Sequence, residues 1–194
     1  MAESGNAVVV ELPNQLPLKA PLIGHTITCI SDNEFILFGG VQQPDTLPKP
    51  IFNNLIFKGT ITDDPSNCVA WDILPQAGSH IPQTREFHAA VLGGNNLYVF
   101  GGKSNGYYND LWQYNLISNE WTCLSPQNSK TSLPTPRYAA TMVLLNAAQG
   151  DPSNDQEELV IFGGYDDNCC SCNDLFKFYV TSKQWSRIEF EKPL

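Results

Sequence analysis

Three histidines are the clearest candidates for catalysis or metal binding in this 194-residue chain. His25 and His88 each introduce a similar apolar stretch, and a residue that recurs at one repeat position favours a structural role. His80 stands alone in a polar segment and is expected to be solvated. The sequence has no Gly-x-Ser-x-Gly turn, no phosphate-binding glycine loop and no His-Glu-x-x-His motif. We therefore expect no catalytic residue here.

Six cysteines provide the second set of candidates. Three of them lie in Cys169-Cys170-Ser171-Cys172, shortly after Asp166 and Asp167, so metal or redox chemistry is an alternative at this point. A tetrahedral zinc site needs a fourth ligand, usually from a second paired motif, which the sequence lacks. Cys29 and Cys123 fall in apparent strands, where a free cysteine is commonly buried. We expect six reduced thiols, no bound metal and no cofactor.

The charge of the chain limits its partners. The formal net charge is −9, and the 11 lysines and arginines are dispersed, so nucleic acid and anionic membrane surfaces are disfavoured. A basic protein surface would be a better electrostatic match. No signal peptide is evident, and no stretch approaches the roughly 18 apolar residues of a membrane span. These features predict a cytoplasmic protein, with the nucleus as the alternative.

An internal repeat organises the sequence. Each repeat contains an apolar run that ends in a pair of glycines, and successive pairs are 62 residues apart. The six glycines are Gly39, Gly40, Gly101, Gly102, Gly163 and Gly164. A glycine pair at the end of a buried strand permits close backbone approach and positive φ. We interpret these glycines as structural.

Each repeat contains four short apolar runs, named a to d in chain order. Run a follows the His88 position, run b precedes the glycine pair, run c follows an Asn-Asn or Asn-Asp pair, and run d carries Trp71, Trp121 or Trp185. None has the length or period of a helix, so all are predicted strands. Two runs are apolar at successive positions, which is typical of strands covered on both faces. Small sheets stacked in a radial array provide that environment.

Residues Gly101 to Trp121 resemble the kelch motif, with Phe-Gly-Gly, Asn-Asp-Leu-Trp-x-Tyr and Asn-Glu-Trp in order. The third repeat matches it with phenylalanines at the aromatic places, and in the first repeat Asn54 stands for the aspartate. The resemblance implies an all-β fold of about three four-stranded antiparallel propeller blades, and a non-enzymatic scaffold or adaptor that binds protein. We assign one repeat array over 1–194, with repeats at about 24–74, 87–124 and 138–190, and a leading outer strand at 8–11.

Antiparallel order places the b–c and d–a loops on one surface, which we call the loop face. It collects the b–c loops 41–52, 103–108 and 165–172 and the d–a loops 12–24, 74–87 and 125–137. The family resemblance implies that a protein partner docks there. The candidate contact residues are Arg85, Arg137, Tyr138, Tyr107, Tyr108, Tyr165, Asp166 and Asp167. Arginine and tyrosine are enriched at interface hot spots. The alternative is that both arginines brace the loops by binding backbone carbonyls.

Two further expectations follow from the resemblance. The chain could be the propeller portion of a larger enzyme or metal-binding kelch protein, of the phosphatase-fused, specifier-like or oxidase-like kind. Three blades are also too few to close a ring, since propellers generally have about four to eight blades. We therefore expect self-association, or additional C-terminal blades, to complete the ring.

Overall fold

The computed structural model describes residues 21–43, 49–64, 68–125, 133–145, 157–168 and 170–189, which form strands and turns without any helix. The first part contains β1 (Leu22–Ile23), β2 (Thr26–Cys29), β3 (Glu34–Phe38), β4 (Val41–Gln42), β5 (Ile51–Phe52), β6 (Ile56–Ile61) and β7 (Val69–Ile73). The second contains β8 (Ala89–Gly93), β9 (Asn96–Phe100), β10 (Leu111–Asn115) and β11 (Glu120–Cys123). The third contains β12 (Arg137–Tyr138), β13 (Thr141–Leu145), β14 (Glu158–Phe162), β15 (Tyr165–Asp166), β16 (Leu175–Tyr179) and β17 (Gln184–Ile188).

Three four-stranded antiparallel sheets form the body of the described structure. Their strand orders are β2-β3-β6-β7, β8-β9-β10-β11 and β13-β14-β16-β17, and we call them blades 1, 2 and 3. Two small sheets, β1-β4-β5 and β12-β15, lie at the loop face. The all-β fold of propeller blades predicted from the sequence is confirmed. The predicted leading strand at 8–11 lies outside the described residues. No described helix is long and apolar enough to cross a membrane.

The two largest apolar clusters lie between blades, as predicted from the strands that are apolar at successive positions. Strand β9 of the middle blade is buried along most of its length, since its alternate side chains enter two different clusters. Trp121 fills the boundary between blades 1 and 2, and Trp185 fills the boundary between blades 2 and 3. Each is only a few per cent exposed. The outer-strand tryptophans therefore join neighbouring sheets.

Strand register corrects the alignment of the first repeat. Asn54 and Asn109 each donate from Nδ2 to a proline carbonyl oxygen in the following d–a loop, at 2.8 and 3.1 Å. These two asparagines are therefore equivalent, and Leu55 lies where Asp110 and Asp174 lie in the other blades. The expectation that Asn54 replaces the aspartate is wrong, because the tandem asparagines of the first repeat permit two alignments and the proline contact selects one.

A relay of backbone hydrogen bonds joins the three blades just before strand a. The Phe87 amide donates to the Gly24 carbonyl oxygen, and the Ala139 amide donates to the Phe87 carbonyl oxygen, both at 2.7 Å. All three residues have positive φ, at 69°, 51° and 54°. A left-handed conformation at a non-glycine residue costs energy, so the surrounding structure must hold Phe87 and Ala139 in place.

The second glycine of the first two pairs makes the next contact between blades. The Gly40 amide donates to the Arg85 carbonyl oxygen at 2.7 Å, and the Gly102 amide donates to the Arg137 carbonyl oxygen at 2.9 Å. Gly102 has a φ of 94°, and a Cβ atom there would lie 2.8 Å from the Glu86 carbonyl oxygen. Both the backbone angle and the available space therefore require glycine.

The two end sheets expose apolar side chains on their outward faces. On blade 1, Ile27 and Ile73 are 58% and 48% exposed. On blade 3, Val143, Leu145 and Phe162 are 51%, 45% and 40% exposed. Ile27 and Ile73 pair across the sheet with Leu37 and Phe57, whose apolar cluster contains no residue of blades 2 or 3. On blade 3 the strand neighbours Met142 and Ile161 point the other way, into the core shared with blade 2, so both sets belong to faces that no described blade covers.

Candidate functional site

Arg85 and Arg137 lie inside the loop face rather than on it. Both side chains are fully buried, and each guanidinium binds an aspartate through two nitrogens. Arg85 donates to Asp110 at 2.7 and 2.8 Å, and Arg137 donates to Asp174 at 2.6 and 3.1 Å. Each also donates to the carbonyl oxygen of the first glycine of its own blade, at 2.8 and 3.1 Å.

This geometry favours the bracing role for the two arginines over contact with a partner. The guanidinium of each is occupied by carboxylate and carbonyl oxygens, so neither arginine presents a free charge on the loop face. Burial alone would raise the pKa of Asp174, but its hydrogen bond with Arg137 lowers that pKa overall. The carboxylate is therefore held in its charged form, as a bidentate ion pair requires.

Blade 1 replaces the ion pair with two leucines. Leu22 occupies the place of Arg85 and Arg137, and Leu55 occupies the place of their aspartates. Both leucines pack against the same apolar cluster, beside Leu37 and Phe57. Charge and countercharge are therefore lost together in this repeat, which is consistent with the high cost of burying one charge without the other.

We call the Arg85–Asp110 and Arg137–Asp174 ion pairs the braces. Next to this position on the loop face, each blade presents one cross-strand pair of residues. The pairs are Ile23 with Val41, Glu86 with Lys103, and Tyr138 with Tyr165. The same position is thus apolar in blade 1, ionic in blade 2 and aromatic in blade 3. Because the backbone is equivalent in all three, the side chains alone differentiate the surface of the loop face.

Aromatic rings form a continuous stack between blades 2 and 3. Tyr107 and Tyr138 have ring centroids 5.5 Å apart and an interplanar angle of 23°, and Tyr138 and Tyr165 are 5.6 Å and 26° apart. Phe87 leans against Tyr138 with a centroid distance of 6.3 Å. We call these four rings the aromatic column. Phe87 is 37% exposed and Tyr165 is 44% exposed, so the column opens to solvent.

A lysine lies on this column. The Lys103 ammonium is 4.4 Å from the ring centroid of Tyr138 and 5.4 Å from that of Phe87. Its other neighbour is Glu86, with Nζ and Oε1 separated by 3.7 Å. Phe87, Lys103 and Glu86 were not among the residues predicted from the sequence. The repeat itself could have identified two of them, because Glu86 and Lys103 occupy the positions that Tyr138 and Tyr165 occupy in the third repeat.

The structure brings together three of the predicted tyrosines and separates the fourth. Tyr108 packs against the Arg85 guanidinium, 4.7 Å from its ring centroid, and its hydroxyl contacts Ser104 and Gln83. Asp166 and Asp167 follow Tyr165 directly, and Asp166 accepts hydrogen bonds from two backbone amides of its own loop. Tyr108 therefore supports the loop face, while Asp166 fixes the loop that follows Tyr165.

His88 is a buried neutral side chain, not a solvent-facing acid or base. Its Nε2 lies 2.8 Å from the Thr26 hydroxyl, and its ring packs against Phe38. Burial lowers its pKa to about 3, with smaller contributions from Arg85 and His25. Burial also lowers the pKa of His25. Both imidazoles are therefore uncharged at neutral pH and act as packing groups between blades.

The described part of the cysteine loop holds no cluster of metal ligands. Cys169 lies outside the described residues, and burial raises the pKa of the Cys172 thiol, which disfavours the thiolate. Among the described residues, no three histidine, cysteine, aspartate or glutamate side chains converge to hold a metal ion. The expectation that Cys29 and Cys123 are buried is wrong, because both lie exposed at strand ends.

Comparison with known proteins agrees with the geometry. Residues 24–193 match the model of the KLHDC2/KLHL20/DRC7 Kelch-repeats domain. The chain is 31% identical to human Kelch domain-containing protein 3 over 177 residues, covering 86% of this chain and 40% of that protein. It is 28% identical to human Host cell factor 2 over 162 residues, covering 79% and 18%.

A third relative is the flagellar outer arm dynein alpha chain of Chlamydomonas reinhardtii, 32% identical over 158 residues, or 80% of this chain and 3% of that protein. The chain thus spans between 3% and 40% of the length of these relatives. Kelch-repeat relatives of this kind are consistent with a protein-interaction domain, and kelch repeats are generally non-enzymatic. With three blades in register and a family match over most of its length, the chain belongs to the kelch-repeat family.

Proposed function

We propose that this chain is the interaction surface of a scaffold or adaptor, and that it binds a protein partner through the aromatic column of the loop face. The observation that carries the proposal is the stack of Tyr107, Tyr138 and Tyr165, which ends in a ring that is 44% exposed. Tyrosines are enriched among the residues that dominate protein interfaces, since a rigid ring buries much area at little entropic cost.

The arginine braces support this role indirectly. A binding surface gains affinity when its contact groups are held in place before the partner arrives. Tyr138 follows Arg137 directly, and the backbone of Arg137 is held by Gly102 of the preceding blade while its side chain is held by Asp174. Tyr138, the ring that contacts the other three, is therefore mounted on a rigid element rather than on a free loop.

Affinity capture with matched variants tests the proposal. The Tyr107→Ser/Tyr165→Ser variant should lose partner proteins that the unmodified chain retains, because the two outer rings of the column are removed without disturbing the buried braces. Ile117→Ser is the control, since Ile117 is 73% exposed in the c–d turn on the opposite surface. Equal recovery of every partner by both variants would refute the proposed contact surface.

We also propose that further kelch blades cover the two end sheets. The exposed residues Ile27, Val143 and Phe162 support this, because apolar rows on a sheet face are normally buried against a neighbour. The additional blades would come from a second copy of this chain or from a longer polypeptide.

A further inference from the structure

We propose that the aromatic column is a receptor for a cationic side chain, arginine or lysine, carried by an extended segment of the protein partner. This inference rests on the proposed function, because it specifies the chemistry of a partner at the same surface.

The first argument is that the column already holds a cation. The Lys103 ammonium lies within 5.4 Å of two ring centroids, those of Tyr138 and Phe87, and Glu86 provides a carboxylate at 3.7 Å. Attraction between a cation and a ring face acts within about 6 Å, and a nearby anion strengthens the site. Lys103 therefore shows how an ammonium group is accommodated on this column.

The second argument is that the column contains a ring that the lysine does not cover. Tyr165 stacks on Tyr138 and is the most exposed ring of the column. Among the described residues, no lysine or arginine lies over the Tyr165 ring, whereas Tyr138 and Phe87 share Lys103. Tyr165 thus offers the same chemical surface to an external cation.

The third argument is the acidic charge of the segment that carries this ring. Asp166 and Asp167 follow Tyr165, and the Asp166 carboxylate is fixed by hydrogen bonds from the amides of Asn168 and Cys170 at 3.0 and 3.2 Å. The arginines of the loop face contribute no surface charge, since both are buried against aspartates. With a net charge of −9, the chain repels an acidic segment and attracts a basic one.

The test uses a defined probe. A fluorescent glycine–serine peptide with three spaced arginines is titrated against the whole chain, in parallel with a matched citrulline peptide that is equal in shape and uncharged. We expect the arginine peptide to bind about threefold to fivefold more tightly at low ionic strength, with the difference shrinking at high salt. Equal binding of the two peptides would overturn the inference.

Two variants separate the ring face from simple apolar contact. Tyr165→Phe keeps the ring and should retain the preference for arginine, while Tyr165→Leu keeps apolar area and should lose it. Ile117→Ser, on the opposite surface, should behave as the unmodified chain. If the leucine variant preferred arginine as strongly as the phenylalanine variant, the ring face would not be the receptor and the inference would fail.

Lys103 provides a further discriminating variant. Because its ammonium competes for the same column, Lys103→Met should raise the affinity for the arginine peptide about twofold to threefold. A lysine that merely stabilised the loop would give unchanged or weaker binding when removed, and that result counts against the inference. If natural partners still require Tyr107 and Tyr165 while the arginine peptide shows no preference, the binding face stands and only its cation specificity is refuted.

Discussion

Arg85 and Arg137 each belong to two blades at once. The backbone of Arg85 binds Gly40 and Asn53 of blade 1, while its guanidinium binds Asp110 of blade 2. Arg137 repeats the arrangement one blade further on, with its guanidinium on Asp174. A buried ion pair of this kind contributes little net stability against an apolar replacement, but loss of one partner is costly.

Substitution of the Arg137 brace tests this asymmetry. Arg137→Leu should lower the free energy of unfolding by about 3–5 kcal/mol, because Asp174 is left without its countercharge. The double variant Arg137→Leu/Asp174→Leu should return to within about 1 kcal/mol of the unmodified chain, since it copies the leucine pair of blade 1. Urea denaturation followed by tryptophan fluorescence measures both. A double variant less stable than the single one would contradict the argument.

Acid should weaken the fold through His88. Its folded-state pKa of about 3 lies below the ordinary value of 6.5, so between these values the unfolded chain binds a proton that the folded chain excludes. Stability is therefore complete above about pH 6.5 and falls as the pH drops, by at most about 1.4 kcal/mol per pH unit for one such group.

Denaturation between pH 5 and 7 measures this dependence. His88→Ala, which copies the Ala140 of blade 3, should reduce the slope, and the remainder should come from His25, whose pKa is also lowered by burial. His80→Gln is the matched control and should keep the full slope, because His80 is exposed. An identical slope in the His88 variant would refute the assignment.

At the scale of the element, the glycine pair determines how strand b leaves one blade and meets the next. Gly102→Ala should destabilise the chain by at least about 2 kcal/mol, because the added Cβ meets the Glu86 carbonyl oxygen and φ is strained. Gly106→Ala, nearby in the same b–c loop, should change stability by less than about 0.5 kcal/mol, since nothing lies within 4 Å of the new atom. Thermal unfolding of the two variants distinguishes them.

The strands were predictable because their signals are local. Apolar runs, glycine pairs and tryptophans recur in register, so the blade order could be read from the repeat alone. The alignment of blade 1 was not predictable, because Asn53 and Asn54 are adjacent and only the folded chain tells them apart, through the strand register and the hydrogen bond to the Pro82 carbonyl oxygen. A hydrogen bond between residues that are 28 positions apart cannot be predicted from the local sequence around either of them.

The candidate site was predictable only in part, for a similar reason. The tyrosines of the column were proposed from their type and loop position, but their stacking depends on a pairing between Tyr138 and Tyr165 that no pattern reveals. The burial of both arginines follows from aspartates 25 and 37 residues away. Leucines replace both the arginine and the aspartate at the equivalent positions Leu22 and Leu55, and this signal was hidden by the one-residue misalignment.

At the scale of the whole molecule, the apolar end sheets lead us to expect that copies of the chain associate with one another. The purified chain should form oligomers in light scattering, or bind an apolar fluorescent dye while monomeric, because Ile27, Val143 and Phe162 are exposed in rows. Val143→Asp should reduce either signal by placing a charge on the end face of blade 3, and Ile117→Ser should leave it unchanged. A monomer that binds no dye would exclude further blades as the cover of these faces.

The amide relay through Gly24, Phe87 and Ala139 gives the array a polarity. At every described boundary the later blade donates through this relay and the earlier blade accepts, so the two ends of the array are chemically unlike. A blade added beside Ala139 must present an amide, and one added beside Gly24 must present a carbonyl oxygen. Two copies could therefore close a ring only by a twofold rotation about the propeller axis, which places blade 1 of each copy against blade 3 of the other, and never by pairing like end with like end.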